Sequence, residues 1–127
     1  MEQVINNQVS LKRGGNEQEV TVMFADIRGF TSLTERSAAR DVVVLLNEYF
    51  DRMVEVIFNH DGILDKFIGD AIMALWGPPL SKPDDASKAF RAAITMQKEL
   101  SQLNNEREKR GESPIEIGIG LASGVCV

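Results

Sequence analysis

Cysteine is almost missing from this sequence: Cys126 stands alone, so no internal disulfide can staple the fold. A lone thiol fits a reducing compartment, and a cytoplasmic location is the expectation for this domain. Basic charge is in deficit. Fourteen Lys and Arg against 19 Asp and Glu leave a net charge of −5. That balance argues against a nucleic-acid backbone as partner, which calls for a basic face. It leaves room for an anionic nucleotide escorted by metal ions, because the metals bring the positive charge. No apolar run reaches the roughly 18 residues that would span a membrane. The opening MEQVINNQVS is too polar for a signal peptide. Internal repeats and low-complexity tracts are absent as well. The single histidine, His60, falls at the end of a helical stretch and reads as a dipole partner, not a catalyst.

What remains is a chain of 127 residues with an ordinary apolar share of 43%, enough for one domain with a real core. Residues 1–17 are polar and pass through Lys12-Arg13-Gly14-Gly15-Asn16, which reads as a linker or the tail of an upstream region. Glu19 to Asp26 reads as a strand, apolar on both faces and therefore central in a sheet. Thr31 to Arg36 suggests a short helix, with Thr31 at its start and Ser32-x-x-Glu35 as a capping box. From Ala39 to His60 the positions Val42, Leu45, Leu46, Tyr49, Phe50, Met53 and Ile57 form one apolar helical stripe. Asp61-Gly62 ends it, with Gly62 suited to a left-handed cap. Ile63–Ile68 and Ala71–Trp76, joined by Gly69-Asp70, read as a tight β-hairpin. Pro78, Pro79 and Pro83 break regularity. A helix from Asp84 to about Asn105 carries Ala86, Ala89, Phe90, Ala93, Met96 or Gln97, Leu100 and Leu103 on one side. Arg107 to Ser113 reads as a charged loop, and Ile115 to Leu121 as the last strand.

Strand, helix, hairpin, helix, strand is the βαββαβ order of a ferredoxin-like α+β sandwich: an antiparallel sheet with helices on one face. Its first and third strands lie side by side at the centre. The end of the first strand then approaches the hairpin turn, which brings Asp26 towards Asp70. Two readings stay open at this point. Taken singly, Asp70 is a turn residue, Asp26 a helix-start residue and Lys66 an exposed strand charge. Taken together, two converging carboxylates suit Mg²⁺ or Mn²⁺, which keep waters and accept phosphate oxygens. Arg28-Gly29-Phe30-Thr31-Ser32 follows at once, and offers successive backbone N–H groups at a helix start, where phosphate is attracted.

The blocks "VTVMFADIRGFTSLTE", "HDGILDKFIGDAIMALWG" and "GIGLASG" resemble the catalytic domain of class III adenylyl/guanylyl cyclases, over a span from about Asn16 to the last residue. The resemblance implies that Asp26 and Asp70 bind two divalent ions, Mg²⁺ or Mn²⁺, with the carbonyl of Ile27 as a further ligand. It implies that Gly29, Phe30 and Thr31 cradle phosphate. Lys66 resembles the purine-reading lysine of ATP-using members, where GTP-using members tend to carry Glu; a Lys donates to adenine N1, whereas guanine presents N1–H. The implied reaction is ATP to 3′,5′-cyclic AMP and pyrophosphate. The implied assembly is a head-to-tail homodimer under an upstream regulatory region. In the family the catalytic region continues past "SGVCV" to a second purine-selecting residue and to an Asn and an Arg that stabilise the transition state. The expectation is therefore a domain over 18–127 truncated at its C-terminal side, inactive or nearly so alone, and prone to self-association through its apolar surface. Rivals on the same residues are a guanylyl cyclase, a diguanylate cyclase or polymerase-like palm, and a catalytically silent dimerisation or regulatory module. The hairpin Ile68-Gly69-Asp70 lacks the Gly-Gly-acidic turn of a diguanylate cyclase.

Overall fold

The computed structural model describes residues 18–78 and 81–126, with the side chains of 19–78 and 81–125. The expected linker over 1–17 lies outside the described residues. Strand β1 (Gln18–Ile27) is followed by a short helix α1 (Phe30–Arg36) and a long helix α2 (Ala39–Asn59). The hairpin β2 (Ile63–Ile68) and β3 (Ala71–Trp76) comes next. Helix α3 (Asp85–Lys109) and strand β4 (Ile117–Cys126) complete the order. The sheet runs β2-β3-β1-β4 and every pair is antiparallel. This is the ferredoxin-like α+β sandwich that the order of elements predicts, with β1 and β3 at its centre.

The period of two along β1 sorts its side chains. Thr21, Met23, Ala25 and Ile27 are buried against the helices, joined by Ile72, Ala74 and Trp76 of β3. Tyr49, Met53, Val56 and Ile57 of α2 and Ala89, Ala92, Met96, Leu100 and Leu103 of α3 meet them. The other face of β1 carries Val22, Phe24 and Asp26. It is apolar as expected, but among the described residues no helix covers it, and Phe24 is 40% exposed. Across the helix layer the Arg52 guanidinium grips both oxygens of Glu106 at 2.8 and 2.9 Å. Arg110 reaches Glu48 at 3.1 Å. These exposed pairs bridge α2 and the end of α3 and add little stability.

Local details depart from the sequence reading. No capping box forms at α1. Its cap is Gly29, at φ 65°, and no side chain bonds there. Because the helix starts at Phe30, Ser32 already lies inside the first turn and Thr31 serves as an acceptor, taking the Thr34 hydroxyl on its carbonyl at 2.7 Å. After α2 the left-handed residue is Asp61, at φ 66°, not Gly62. Gly62 is small for a different reason, its contact with the Trp76 ring. Along α3 the buried stripe is Ala89, Ala92, Met96, Leu100, Leu103 and Arg107, while Phe90 is 60% exposed. Arg107 is thus helical and buried. Its Nε donates to the Ser113 carbonyl at 2.8 Å, which satisfies a charge that the sequence placed in a loop. Strand β4 begins at Ile117 and not Ile115, because the Asn104 amide takes both the N–H and the C=O of Ile115 at 2.8 Å. His60 does lie at the α2 terminus, with Nδ1 2.8 Å from the Val56 carbonyl.

One ion pair ties the α2 terminus to α3: Lys88 Nζ donates to Asp61 Oδ2 at 2.7 Å. The hydrogen bond from Lys88 holds the Asp61 carboxyl below its ordinary value, and the bond to Asp61 holds Lys88 above its own. The acid's contribution is therefore present above pH 3.8 and lost as pH falls through its lowered folded value. That of the amine is present below pH 10.5 and lost as pH rises through its raised folded value. Asp61→Asn, which tolerates the left-handed backbone, is expected to lower the melting temperature slightly at neutral pH and low salt. The gap to the parent should close at both pH extremes and in about 1 M salt. A gap unchanged by pH and salt would mean that the pair is not the cause.

Candidate metal and nucleotide site

The central register sets the site. Ala25 of β1 opposes Ile72 of β3, so the turn that precedes β3 falls beside the end of β1. Gly69 supplies the turn with its φ of 60°. The Asp70 carboxylate then accepts the Ile27 N–H on Oδ2 at 2.8 Å. Asp26 and Asp70 are both half-buried. Residues far apart in sequence thus form one acidic corner, with Asp26, Ile27 and Asp70 together as the topology predicts. Gly29 and α1 follow directly. The first N–H groups of α1 are free of side-chain caps, as at any uncapped helix start. Phe30 packs partly against the core and Thr31 is exposed.

Lys66 stands elsewhere. It lies on β2 beside a register shift between Leu64 and Lys66, the mark of a bulge that re-aims side chains. It opposes Met73, which opposes Phe24, which opposes Gly120. That row lies on the uncovered face, and places Lys66 roughly 10 Å, two strand spacings, from β1. Its ammonium is 3.8 Å from Asp65 and well exposed, so this pair is loose.

Two side chains near the acidic corner escaped the sequence reading. The Arg28 guanidinium lies over Gly118, the residue that opposes Asp26 on β4. A Cβ at 118 would come within 2.6 Å of the guanidinium carbon. An Arg on the face of Asp26 and a Gly on the last strand are visible in the sequence, but their meeting depends on register. Tyr49, read as one more residue of the α2 stripe, is fully buried, and its hydroxyl has no hydrogen-bond partner among the described residues. Burial pushes that hydroxyl above its ordinary value, and the Asp70 and then the Asp26 carboxylates push it further.

The donor set suits a hard divalent cation. The two carboxylates and the Ile27 carbonyl offer oxygen donors only, and among the described residues no cluster of three or more His, Cys, Asp or Glu could cage an ion. That favours Mg²⁺ or Mn²⁺ with waters and phosphate oxygens filling the remaining positions. The two carboxylates both act on the buried Tyr49 hydroxyl, a concentration of negative charge that a cation would offset.

A sandwich of this strand order, with acidic residues meeting at the ends of its two central strands, is the frame of a nucleotidyl cyclase core. The sequence pattern of the adenylate and guanylate cyclase catalytic domain matches residues 14–127, and the chain belongs to that class III family. It is 35% identical to adenylate cyclase 1 of Rhizobium meliloti over 91% of the chain, and 39% identical to an adenylate cyclase of Anabaena cylindrica over 87%. Those matches span 17% and 22% of the two relatives, so the chain corresponds to about a fifth of each. Among solved structures, the guanylyl cyclase Cya2 superposes with a TM-score of 0.81 at 40% identity, covering 87% of this chain and 56% of that one. The adenylyl cyclase CyaB from P. aeruginosa gives 0.82 at 35%, covering 87% and 58%. No helix among the described residues is long and apolar enough to cross a membrane.

Proposed function

We propose that this domain is the metal-binding part of an adenylyl cyclase centre, which forms 3′,5′-cyclic AMP and pyrophosphate from ATP within a longer, regulated, head-to-tail homodimeric protein. The observation that supports it most is the bond from the Ile27 N–H to Asp70, which sets the second carboxylate beside Asp26. Asp26, Asp70 and the Ile27 carbonyl would hold Mg²⁺ or Mn²⁺, two ions per site. Such ions supply Lewis acidity that lowers the pKa of the ribose 3′-hydroxyl and neutralises phosphate charge. The protein's own part is orientation. The Ile27 N–H fixes one oxygen of Asp70 and leaves the other free. Gly29, left-handed at φ 65°, lets the backbone of Phe30 and Thr31 come close to phosphate. Lys66, on the uncovered face, presents only donors.

Lys66 carries the choice of base. Relatives of both specificities resemble this chain, so the argument rests on hydrogen-bond polarity. A lysine satisfies the adenine N1 acceptor and leaves the guanine N1–H unpaired. Titration with non-hydrolysable ATP and GTP analogues in Mn²⁺ tests this. Lys66→Glu is expected to turn the preference towards GTP by roughly tenfold or more, since a hydrogen bond to a charged group is worth about 1.5–3 kcal/mol. An unchanged ratio would remove Lys66 from base recognition. Analogue binding that needs no divalent ion would count against the cyclase reading as a whole and favour a silent module.

A further inference from the structure

Tyr49 is the only tyrosine in the chain. It is fully buried, yet its hydroxyl has no hydrogen-bond partner among the described residues. Buried tyrosine hydroxyls usually find partners, and a hydroxyl buried without one destabilises the fold. Phenylalanine would fill the same space without that cost, so the oxygen calls for an explanation.

Its position supplies one. The next residue on α2, Phe50, stacks on Phe67 with ring centroids 4.3 Å apart. Phe67 opposes Ile72 in the hairpin whose turn is Gly69-Asp70. This turn of α2 therefore lies beneath the end of the hairpin. Tyr49 belongs to the same buried core as Ala25 and Ile27, which flank Asp26, and Ile72, two residues after Asp70, and both carboxylates act on its hydroxyl. The Asp70 carboxylate has Oδ2 committed to the Ile27 N–H. Among the described residues no donor reaches its other oxygen.

We propose that Tyr49 is a positioning residue for the cation held by Asp26 and Asp70, its hydroxyl donating from beneath to the ligand shell on the Asp70 side. This rests on the reading of the acidic corner as a cation site. Without a cation the hydroxyl is orphaned and the fold carries its cost. With a cation the Asp70 side becomes an ordered acceptor, and the same hydroxyl helps to set the ligand's orientation. Partners of this kind, one bond removed from a metal, typically change its affinity by about 10–100-fold.

The role predicts opposite signs in the two states. A plain core tyrosine does not. The test uses the whole 127-residue chain, with free Mn²⁺ read by electron paramagnetic resonance and melting followed by circular dichroism. Parent, Tyr49→Phe and Asp70→Asn are compared. Without metal, Tyr49→Phe is expected to melt at the parent's temperature or above it. Its Mn²⁺ affinity is expected to fall about tenfold or more, and its gain in melting temperature on adding Mn²⁺ to shrink accordingly. Equal Mn²⁺ affinity, or a metal-free Tyr49→Phe that melts clearly below the parent, overturns the proposal while leaving the cation site in place. If the parent binds Mn²⁺ no better than Asp70→Asn, the cation site itself fails and this inference falls with it.

Discussion

Asp70→Ala is expected to abolish metal-dependent nucleotide binding, the largest functional effect of any single change in this chain. Two things are lost together: half of the carboxylate pair, and the acceptor for the Ile27 N–H at 2.8 Å. Ile27 is almost fully buried, so its amide would be left with little access to water. An unsatisfied buried donor costs about 1–3 kcal/mol, offset in part by relief of repulsion between the aspartates. Asp70→Asn separates the two losses. Its amide oxygen can still accept the Ile27 N–H, but it brings no charge to a cation. The asparagine variant is expected to be at least as stable as the parent without metal, and to lose more than the 10–100-fold in Mn²⁺ affinity that an outer partner costs. Calorimetric titration with Mn²⁺ and an ATP analogue reads both. Asp70→Asn binding the analogue as tightly as the parent, with the same dependence on Mn²⁺, would remove Asp70 from the site.

Why this corner is legible in the sequence and other features are not turns on what element order and periodicity determine. The meeting of Asp26 and Asp70 follows from the order of elements alone: once β1 and β3 are neighbours, an acidic residue at the end of one and a turn before the other must come close. The stripe Leu45, Tyr49, Met53, Ile57 is legible for another reason: helical periodicity states which residues share a face. What the pattern misses is what an individual side chain meets, even a few residues away. Arg107 reads as part of a charged loop because a charged residue near a run of Glu and Lys looks solvated. Its guanidinium is in fact satisfied by the chain folding back at Ser113. Spacing puts Phe90 on the apolar side of α3, although the buried face runs through Ala89 and Ala92 beside it. The loneliness of the Tyr49 hydroxyl is invisible to any pattern, because a stripe records which face is buried and not what the polar tip of a side chain meets there.

Gly62→Ala is expected to produce the largest loss of stability from the smallest change in volume. The sequence suggests that Gly62 is needed for a left-handed backbone, but Asp61 takes that conformation. Gly62 is needed for space. Its N–H donates to the Ile57 carbonyl at 2.9 Å, which holds the backbone at the foot of α2. A methyl group there would sit 2.6 and 2.7 Å from carbons of the Trp76 ring and 2.8 Å from the Ile57 side chain. Neither can yield easily. Both residues are fully buried, and the indole is tethered by Nε1 donating to the His60 carbonyl at 2.8 Å. Overpacking of this kind costs about 1–3 kcal/mol or more, which in a domain of this size lowers the melting temperature by roughly 5–15 °C. Gly118→Ala is the control. Its nominal overlap is just as severe, but the group met is the guanidinium end of Arg28, which can swing towards solvent. That variant should stay within about 0.5 kcal/mol of the parent. Urea denaturation at constant slope distinguishes the pair. Equal midpoints for Gly62→Ala and the parent would mean that the Trp76 ring does not lie against the α2 terminus, and that position 62 needs glycine neither for space nor for backbone conformation.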